Sequence, residues 1–283
     1  MRSEGPSRTA AGVAYRRAVH QLVDQPPVFV DPLAQVLLSP DARAVLASDP
    51  WRGNRSRVAS YLRAFLAVRS RVAEDTLAHA VVAGVRQYVV LGAGLDTFAC
   101  RNPWQDLRVF EVDHPQTQEW KLARLGAAGL SLPHGTAFVP VNFEVDTVPE
   151  ALLRHGFDPD RPTAVSWLGV VPYLEEATVW ATLEWAAEIV GASGHIVFDY
   201  GSRPRWWQLA QRVALRRLAA RVAALGEPFR TRLEPRALRQ RLLGIGFRSV
   251  VDLDGRELNR RYFTGRPDRL RVGGSGHIAI ASL

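Results

Sequence analysis

Apolar and polar positions change their period along the chain. In the first eighty residues apolar positions recur at helical spacing, and the run 58–82 sets Tyr61, Phe65, Val68, Val72 and Leu77 on one face. Pro26-Pro27, Asp31-Pro32 and the loop from Asp49 through Pro50, Gly53 and Asn54 punctuate these helices. From residue 87 short β-rich apolar runs alternate with longer helical stretches. The pattern predicts strands at 87–91, 107–112, 136–143, 163–168 and 195–200, with helices at 95–101, 115–128, 147–155 and 175–190 between and after them. Pro115 suits a first helical turn, and Gly129 and Gly156 suit helix stops. Such alternation predicts an α/β fold, a mostly parallel sheet with right-handed crossovers and helices on both faces.

Beyond residue 200 the period changes again. Residues 202–226 read as a basic helical stretch bearing Trp206 and Trp207, and a helix within 238–247 ends at glycine. Strands at 248–253 and 277–283 follow with no helix of normal length between them. They predict a closing hairpin with one antiparallel strand, making seven strands in all. The expected organisation is a helical N-terminal cap at 1–85 and a core at 86–283, with a helical lid insertion at about 201–245.

Composition narrows the class. The 283 residues, 47% of them hydrophobic, fit one large domain or a domain with a cap, with disorder expected only in the first dozen positions. No apolar run reaches the roughly 18 residues of a membrane span, and no apolar segment follows Met1-Arg2-Ser3 as in a signal peptide. Cys100 is the only cysteine, so no internal disulfide can form, and a cytoplasmic location is expected. The net charge of +8 is carried by arginine, with Lys121 the only lysine. An anionic partner is one reading of that charge. A coding bias that writes arginine for lysine is the other, and the even spread of arginines along helices favours it. Arg212, Arg216, Arg217 and Arg221 sit on the Trp-bearing stretch, which fits a membrane surface, nucleic acid, or a solvated helix or lid. The last is expected, with neither nucleic acid nor membrane as partner. The seven histidines have no ligand-like spacing, so no metal is expected. A Gly-x-Ser-x-Gly elbow is absent, which removes the hydrolase reading.

The strand Tyr88–Leu91 breaks at Gly92-Ala93-Gly94 before a helix-like segment near Asp96. Glycine lets the main chain approach a ligand, and a helix start offers free N–H groups. By itself this is either a nucleotide turn or only a tight βα turn. Roughly 20 positions after Gly92, where a Rossmann-like unit grips ribose hydroxyls, the second strand ends in Glu111-Val112-Asp113. The third glycine of a dinucleotide site is missing, which argues for a nucleoside ligand without phosphates, S-adenosylmethionine (SAM) being the common one. Arg69 and Arg71 lie upstream, one of them within reach of the turn.

The phrases Leu91-Gly-Ala-Gly-Leu-Asp-Thr97, Phe110-Glu-Val-Asp-His-Pro115 and Trp167-Leu-Gly-Val-Val-Pro-Tyr-Leu174 stand in order along the chain. They resemble the leucine carboxyl methyltransferase-like family of class I SAM-dependent methyltransferases, over roughly residues 55 to 283. The resemblance implies a Rossmann-like fold, SAM as cofactor and a small-molecule acceptor. It also implies a cofactor-binding set of Arg69, Gly92, Ala93, Gly94, Asp113, His114, Asn142, Phe143 and Leu168. Arg69 would pair with the SAM carboxylate, Asp113 would take the ribose hydroxyls, and Asn142-Phe143 would replace the family's usual Asp-Leu beside the adenine. Leu168 stands where phosphatase methyltransferases carry a glutamate, which favours the bacterial small-molecule branch.

The expected reaction is O-methylation of a small-molecule carboxylate. The alternatives are a hydroxyl or phenol acceptor, a non-catalytic SAM-binding regulator, and a nucleic-acid methyltransferase. A carboxylate, with a reference pKa of about 4, needs no general base, whereas an alcohol or phenol does. His114, Tyr173, Asp199 and Tyr200 fall at the carboxyl ends of strands, where ligands bind in open α/β sheets. Each also has a structural alternative: a helix cap for His114, packing under the lid for Tyr173, and closing a turn for Asp199 and Tyr200.

Overall fold

The computed structural model of the protein describes residues 8–142, 146–202 and 228–283. Three helices open the chain: α1 (Arg8–Val23), α2 (Pro40–Ser48) and α3 (Arg57–Val82). Ser39 and Ser56 begin the second and third by accepting backbone N–H bonds from Ala42 and Ala59. The alternating part runs β1 (Gln87–Leu91), α4 (Phe98–Arg101), β2 (Arg108–Asp113), α5 (Pro115–Ala127), β3 (Thr136–Pro140), α6 (Val148–Arg154), β4 (Thr163–Trp167), α7 (Glu176–Ile189) and β5 (His195–Gly201). The chain closes with α8 (Pro235–Gly244), β6 (Ser249–Leu253), α9 (Gly255–Tyr262) and β7 (Gly276–Ser282).

The seven strands form one sheet in the order β3-β2-β1-β4-β5-β7-β6. All neighbours are parallel except β7, which runs antiparallel to both β5 and β6. The chain leaves β1 towards β2 and β3, then crosses back to β4 on its other side. This reversal opens a crevice at the carboxyl ends of β1 and β4.

Strands β1 and β4 are buried at every position, which is why neither shows an alternating polar face, and their few polar residues, Gln87, Thr163 and Ser166, are small or hydrogen-bonded within the sheet. On one face Val89, Leu91, Phe110, Val112, Val165, Trp167, Ile196 and Phe198 join α6, α7 and α8 in the largest core cluster. On the other, Val68 and Val72 of α3 pack with Val197 and Ile278, so the long N-terminal helix belongs to the sheet's core.

The closing segment corrects the sequence expectation. The eight-residue α9 lies between β6 and β7, so the pair is not joined by a simple hairpin loop. Its short, mostly charged sequence hides it, because the apolar face is only Leu258 and, one turn on, the partly buried Tyr262. The available signal is Asp254, whose side chain accepts the N–H of Glu257 as a helix cap. Strand β3 also ends earlier than expected, which places Asn142 in the loop that follows it. Of the stretch expected as a lid, 203–227 with its Trp206, Trp207 and arginines lies outside the described residues.

The helical N-terminus holds a buried ion cluster. Arg63 of α3 donates to Asp24 through Nε at 2.6 Å and Nη2 at 2.8 Å, and His20 Nδ1 lies 2.7 Å from the same carboxylate. Burial alone would raise the Asp24 carboxyl, but the bonds from Arg63 and His20 outweigh it and hold it below its usual value. Because the folded-state value is depressed, the stabilisation is present above the unfolded value and fades as pH falls through the folded one. Arg63→Ala leaves that buried carboxylate with the His20 contact but without its guanidinium partner, and is expected to destabilise the fold by about 3–5 kcal/mol in urea titrations at neutral pH. The same comparison in acid below the folded-state value of Asp24 is expected to show a smaller difference, because protonated Asp24 no longer needs the arginine.

Candidate functional site

A cavity of about 660 Å³ occupies the crevice. Its floor is the turn after β1. Gly92 and Gly94 adopt φ of +62° and +51°, values that L side chains rarely take. A Cβ at Gly92 would lie 2.4 Å from Cγ2 of Val170, the residue that overhangs the turn from beyond β4. A Cβ at Gly94 would lie 3.6 Å from Cβ of Ala10 on α1. Both positions are therefore glycine for their conformation, and Gly92 also for the closeness of Val170.

One strand over, Asp113 ends β2. Its Oδ2 accepts the Gly94 N–H at 2.6 Å, and its Oδ1 accepts the His114 N–H at 2.7 Å. Burial raises its pKa, against the opposing pull of these two N–H groups. Parallel register makes the meeting possible, since Leu91 pairs with Val112 and the next residues face each other across the strand ends.

The structure brings most of the sequence-selected residues to one cavity wall. Arg69, Gly92, Ala93, Gly94, Asp113, His114, Asn142, Leu168 and Tyr173 all line it. Phe143 lies outside the described residues. Two of the acceptor-side candidates are placed differently. Tyr200 does not line the cavity: it is buried in the sheet, its hydroxyl donates to Asp252 Oδ1 at 2.9 Å, and its ring stacks on His277. Burial, with the Asp252 carboxylate beside it, pushes this phenol up and away from ionisation. Asp199 has both oxygens committed, Oδ1 to the Gly169 N–H and Oδ2 to Arg69 Nη1 at 3.2 Å. It is an anchor rather than a base.

His114 does cap α5, its Nδ1 accepting the Gln116 N–H at 3.3 Å. A neutral imidazole that accepts at Nδ1 carries its proton on Nε2, so it presents a donor and not a base. Tyr173 lines the cavity with its ring tilted on Phe229 at 5.3 Å.

Residues of α1 and α3 complete the wall, and no local motif marks them in the chain. Thr9, Ala10, Val13 and Arg17 come from α1, and Ser70 and Glu74 from α3. Among the described residues the buried Thr9 hydroxyl has no hydrogen-bond partner. Arg17 lies 3.4 Å from Asp96 and 3.5 Å from Asp31, while Arg101 joins Glu74 at 2.6 Å and Asp31 at 3.4 Å. Burial would raise Asp96, but the charges of Arg17, Lys121 and Arg101 hold it low, whereas burial prevails at Glu74 and raises it. Arg17 and Asp96 are 79 residues apart, and no motif links them. Among the described residues no group of three or more His, Cys, Asp or Glu side chains is placed to hold a metal, and no helix is long and apolar enough to cross a membrane.

Gly92→Ala forces a side chain into the left-handed region, worth about 1–2 kcal/mol, and drives its methyl into Val170. Guanidinium unfolding is expected to show at least that loss, and an unchanged midpoint would contradict this geometry.

Known proteins share both sequence and fold with this chain. The sequence model of the family described as "Leucine carboxyl methyltransferase" matches residues 10–187. A Bacillus subtilis (strain 168) protein named "Putative S-adenosyl-L-methionine-dependent methyltransferase YktD" is 28% identical over 291 residues, 95% of each chain. A Mycobacterium ulcerans (strain Agy99) protein named "Putative S-adenosyl-L-methionine-dependent methyltransferase" is 32% identical over 229 residues, 75% of this chain and 73% of the relative. Among crystal structures, a duf574 family protein from Streptomyces avermitilis shares the fold at a TM-score of 0.58 and 17% identity, covering 98% of this chain and 97% of its own. A Thermobifida fusca structure described as a "PUTATIVE METHYLTRANSFERASE" aligns at 0.58 and 18%, covering 99% and 96%. With the family match spanning more than half of its length, and the glycine turn and Asp113 facing one cavity, the chain belongs to the leucine carboxyl methyltransferase family and is a SAM-dependent methyltransferase.

Proposed function

We propose that the protein transfers the methyl group of SAM to a carboxylate of a small molecule. The cavity's polar groups suit the cofactor's parts. The Gly92-Ala93-Gly94 turn has no side chain beyond a methyl, and so leaves room for the methionine segment. Asp113 has lone pairs beyond those taken by the Gly94 and His114 N–H groups, and these would take the ribose hydroxyls. Arg69 makes one side-chain hydrogen bond among the described residues, to Asp199, and its Nε and Nη2 remain for the cofactor carboxylate. Asn142 lines the same cavity, where its amide oxygen would accept from the adenine amino group, and Leu168 would add an apolar wall.

The bound cofactor supplies an activated methyl on a sulfonium leaving group. The chain's part is to hold the acceptor oxygen in line behind it and keep water out. The observation that favours a carboxylate acceptor is the state of the cavity's own acids and bases. Asp96, Asp113 and Glu74 are each tied to N–H or guanidinium donors, and His114 presents a donor. Tyr88 is held as a neutral phenol, chiefly by burial. No described side chain of the wall stands ready to take a proton from an alcohol. A carboxylic acid, with a pKa of about 4, arrives ionised and needs none. The name of the family model points the same way.

Labelled SAM offered with a panel of small carboxylic acids and phenols tests this directly. Base-labile methyl esters are expected, at a turnover flat between about pH 6 and 9 because no group need be deprotonated above the acceptor's own pKa of about 4. Phenol ethers formed at a rate rising with pH would replace the carboxylate reading. Cofactor binding without any product would favour a regulator, and binding to nucleic acid that falls steeply with salt would favour a nucleic-acid substrate.

Asp113→Ala is expected to weaken S-adenosylhomocysteine binding at least tenfold, since hydrogen bonds to a charged group contribute about 1.5–3 kcal/mol. Calorimetry showing equal affinity in the variant would remove Asp113 from the cofactor site.

A further inference from the structure

We propose that Gly169 and Asp199 are positioning residues that seat the Arg69 guanidinium. The inference rests on the reading that Arg69 meets the cofactor's carboxylate. Arg69 reaches the cavity from α3, on a long side chain that is costly to order. Two contacts fix it. Asp199, buried on β5, accepts from Arg69 Nη1 with one oxygen and from the Gly169 N–H with the other. Gly169, in the turn after β4, has φ of +76° and turns its bare α-carbon towards the guanidinium. A Cβ there would lie 2.8 Å from both Nη1 and Nη2 and 3.1 Å from Cζ, inside the usual 3.5–4.0 Å of carbon contacts. The guanidinium therefore occupies the place of the side chain that residue 169 lacks.

This seat decides which donors face the ligand. A guanidinium has five N–H groups in a rigid fork, and a carboxylate is best met by two of them side by side. With Nη1 held by Asp199, Nε and Nη2 are the pair left over. Moving the guanidinium by the width of a methyl group breaks that two-point match while leaving its charge unchanged. The neighbouring residue, Val170, overhangs Gly92, so the turn that seats the arginine also roofs the glycine floor.

The test separates a seat for Arg69 from a general role in the turn. Calorimetry would compare S-adenosylhomocysteine with 5′-methylthioadenosine, which keeps the adenosyl thioether and lacks the amino-acid tail. In Gly169→Ala the affinity for S-adenosylhomocysteine is expected to fall roughly tenfold, or about 1.4 kcal/mol, with methylthioadenosine held within about twofold. Asp199→Glu keeps the charge, moves the anchor by one methylene, and is expected to give the same selective loss should Gly169→Ala fold poorly. A parallel fall for both ligands, or none for either, in a folded variant would overturn the proposal. Arg69→Met is the separate control. If it leaves the ratio of the two affinities unchanged, the carboxylate reading of Arg69 fails, and the seat's function with it.

Discussion

The mouth of the sheet depends on one hydrogen bond that crosses between strands, from the Gly94 N–H to Asp113 Oδ2. The parallel pairing of β1 and β2 sets it up by aligning Leu91 with Val112. Positive φ at two glycines then turns the chain back over the strand ends rather than away from them. The carboxylate gains a fixed orientation while buried, and the glycine turn gains a partner for an otherwise orphaned donor. Any residue other than glycine at position 92 would break this arrangement twice, through its own backbone and through Val170.

A crevice at the edge of a sheet is by default a wet place. Here α1 and α3 close it, tied down by buried ions: Arg17 to Asp31 and Asp96, and Arg101 to Glu74 and Asp31. Thr97 adds a hydroxyl bond to Asp31 at 2.8 Å. Charges taken from water need such partners, and removing one leaves the other uncompensated. Excluding water also strengthens the interactions that remain inside. The helical N-terminus is thus part of the cavity wall as well as a cover for the sheet.

Much of this was legible in the chain. Short runs rich in apolar and β-branched residues gave the buried parallel strands, and Gly92, Gly94 and Asp113 announced the turn and its acidic partner because their chemistry is local. Three things were hidden for a physical reason. Helix α9 is short and mostly charged, so its apolar stripe shrinks to Leu258 and the partly buried Tyr262 beside a capping Asp254. The α1 wall contributes small or paired side chains whose contacts span long sequence separations. Asp199 and Tyr200 are neighbours on one strand, yet a strand alternates its faces. One anchors Arg69 and the other is buried against Asp252 and His277, a difference that a list of polar residues at strand ends does not carry.

A crystal structure of the protein bound to S-adenosylhomocysteine tests the central claim most directly. The expected density lies along the Gly92-Ala93-Gly94 turn, with ribose hydroxyls on Asp113 and the carboxylate on Arg69. Ligand bound elsewhere, with the space above the two glycines filled by protein side chains, would contradict it.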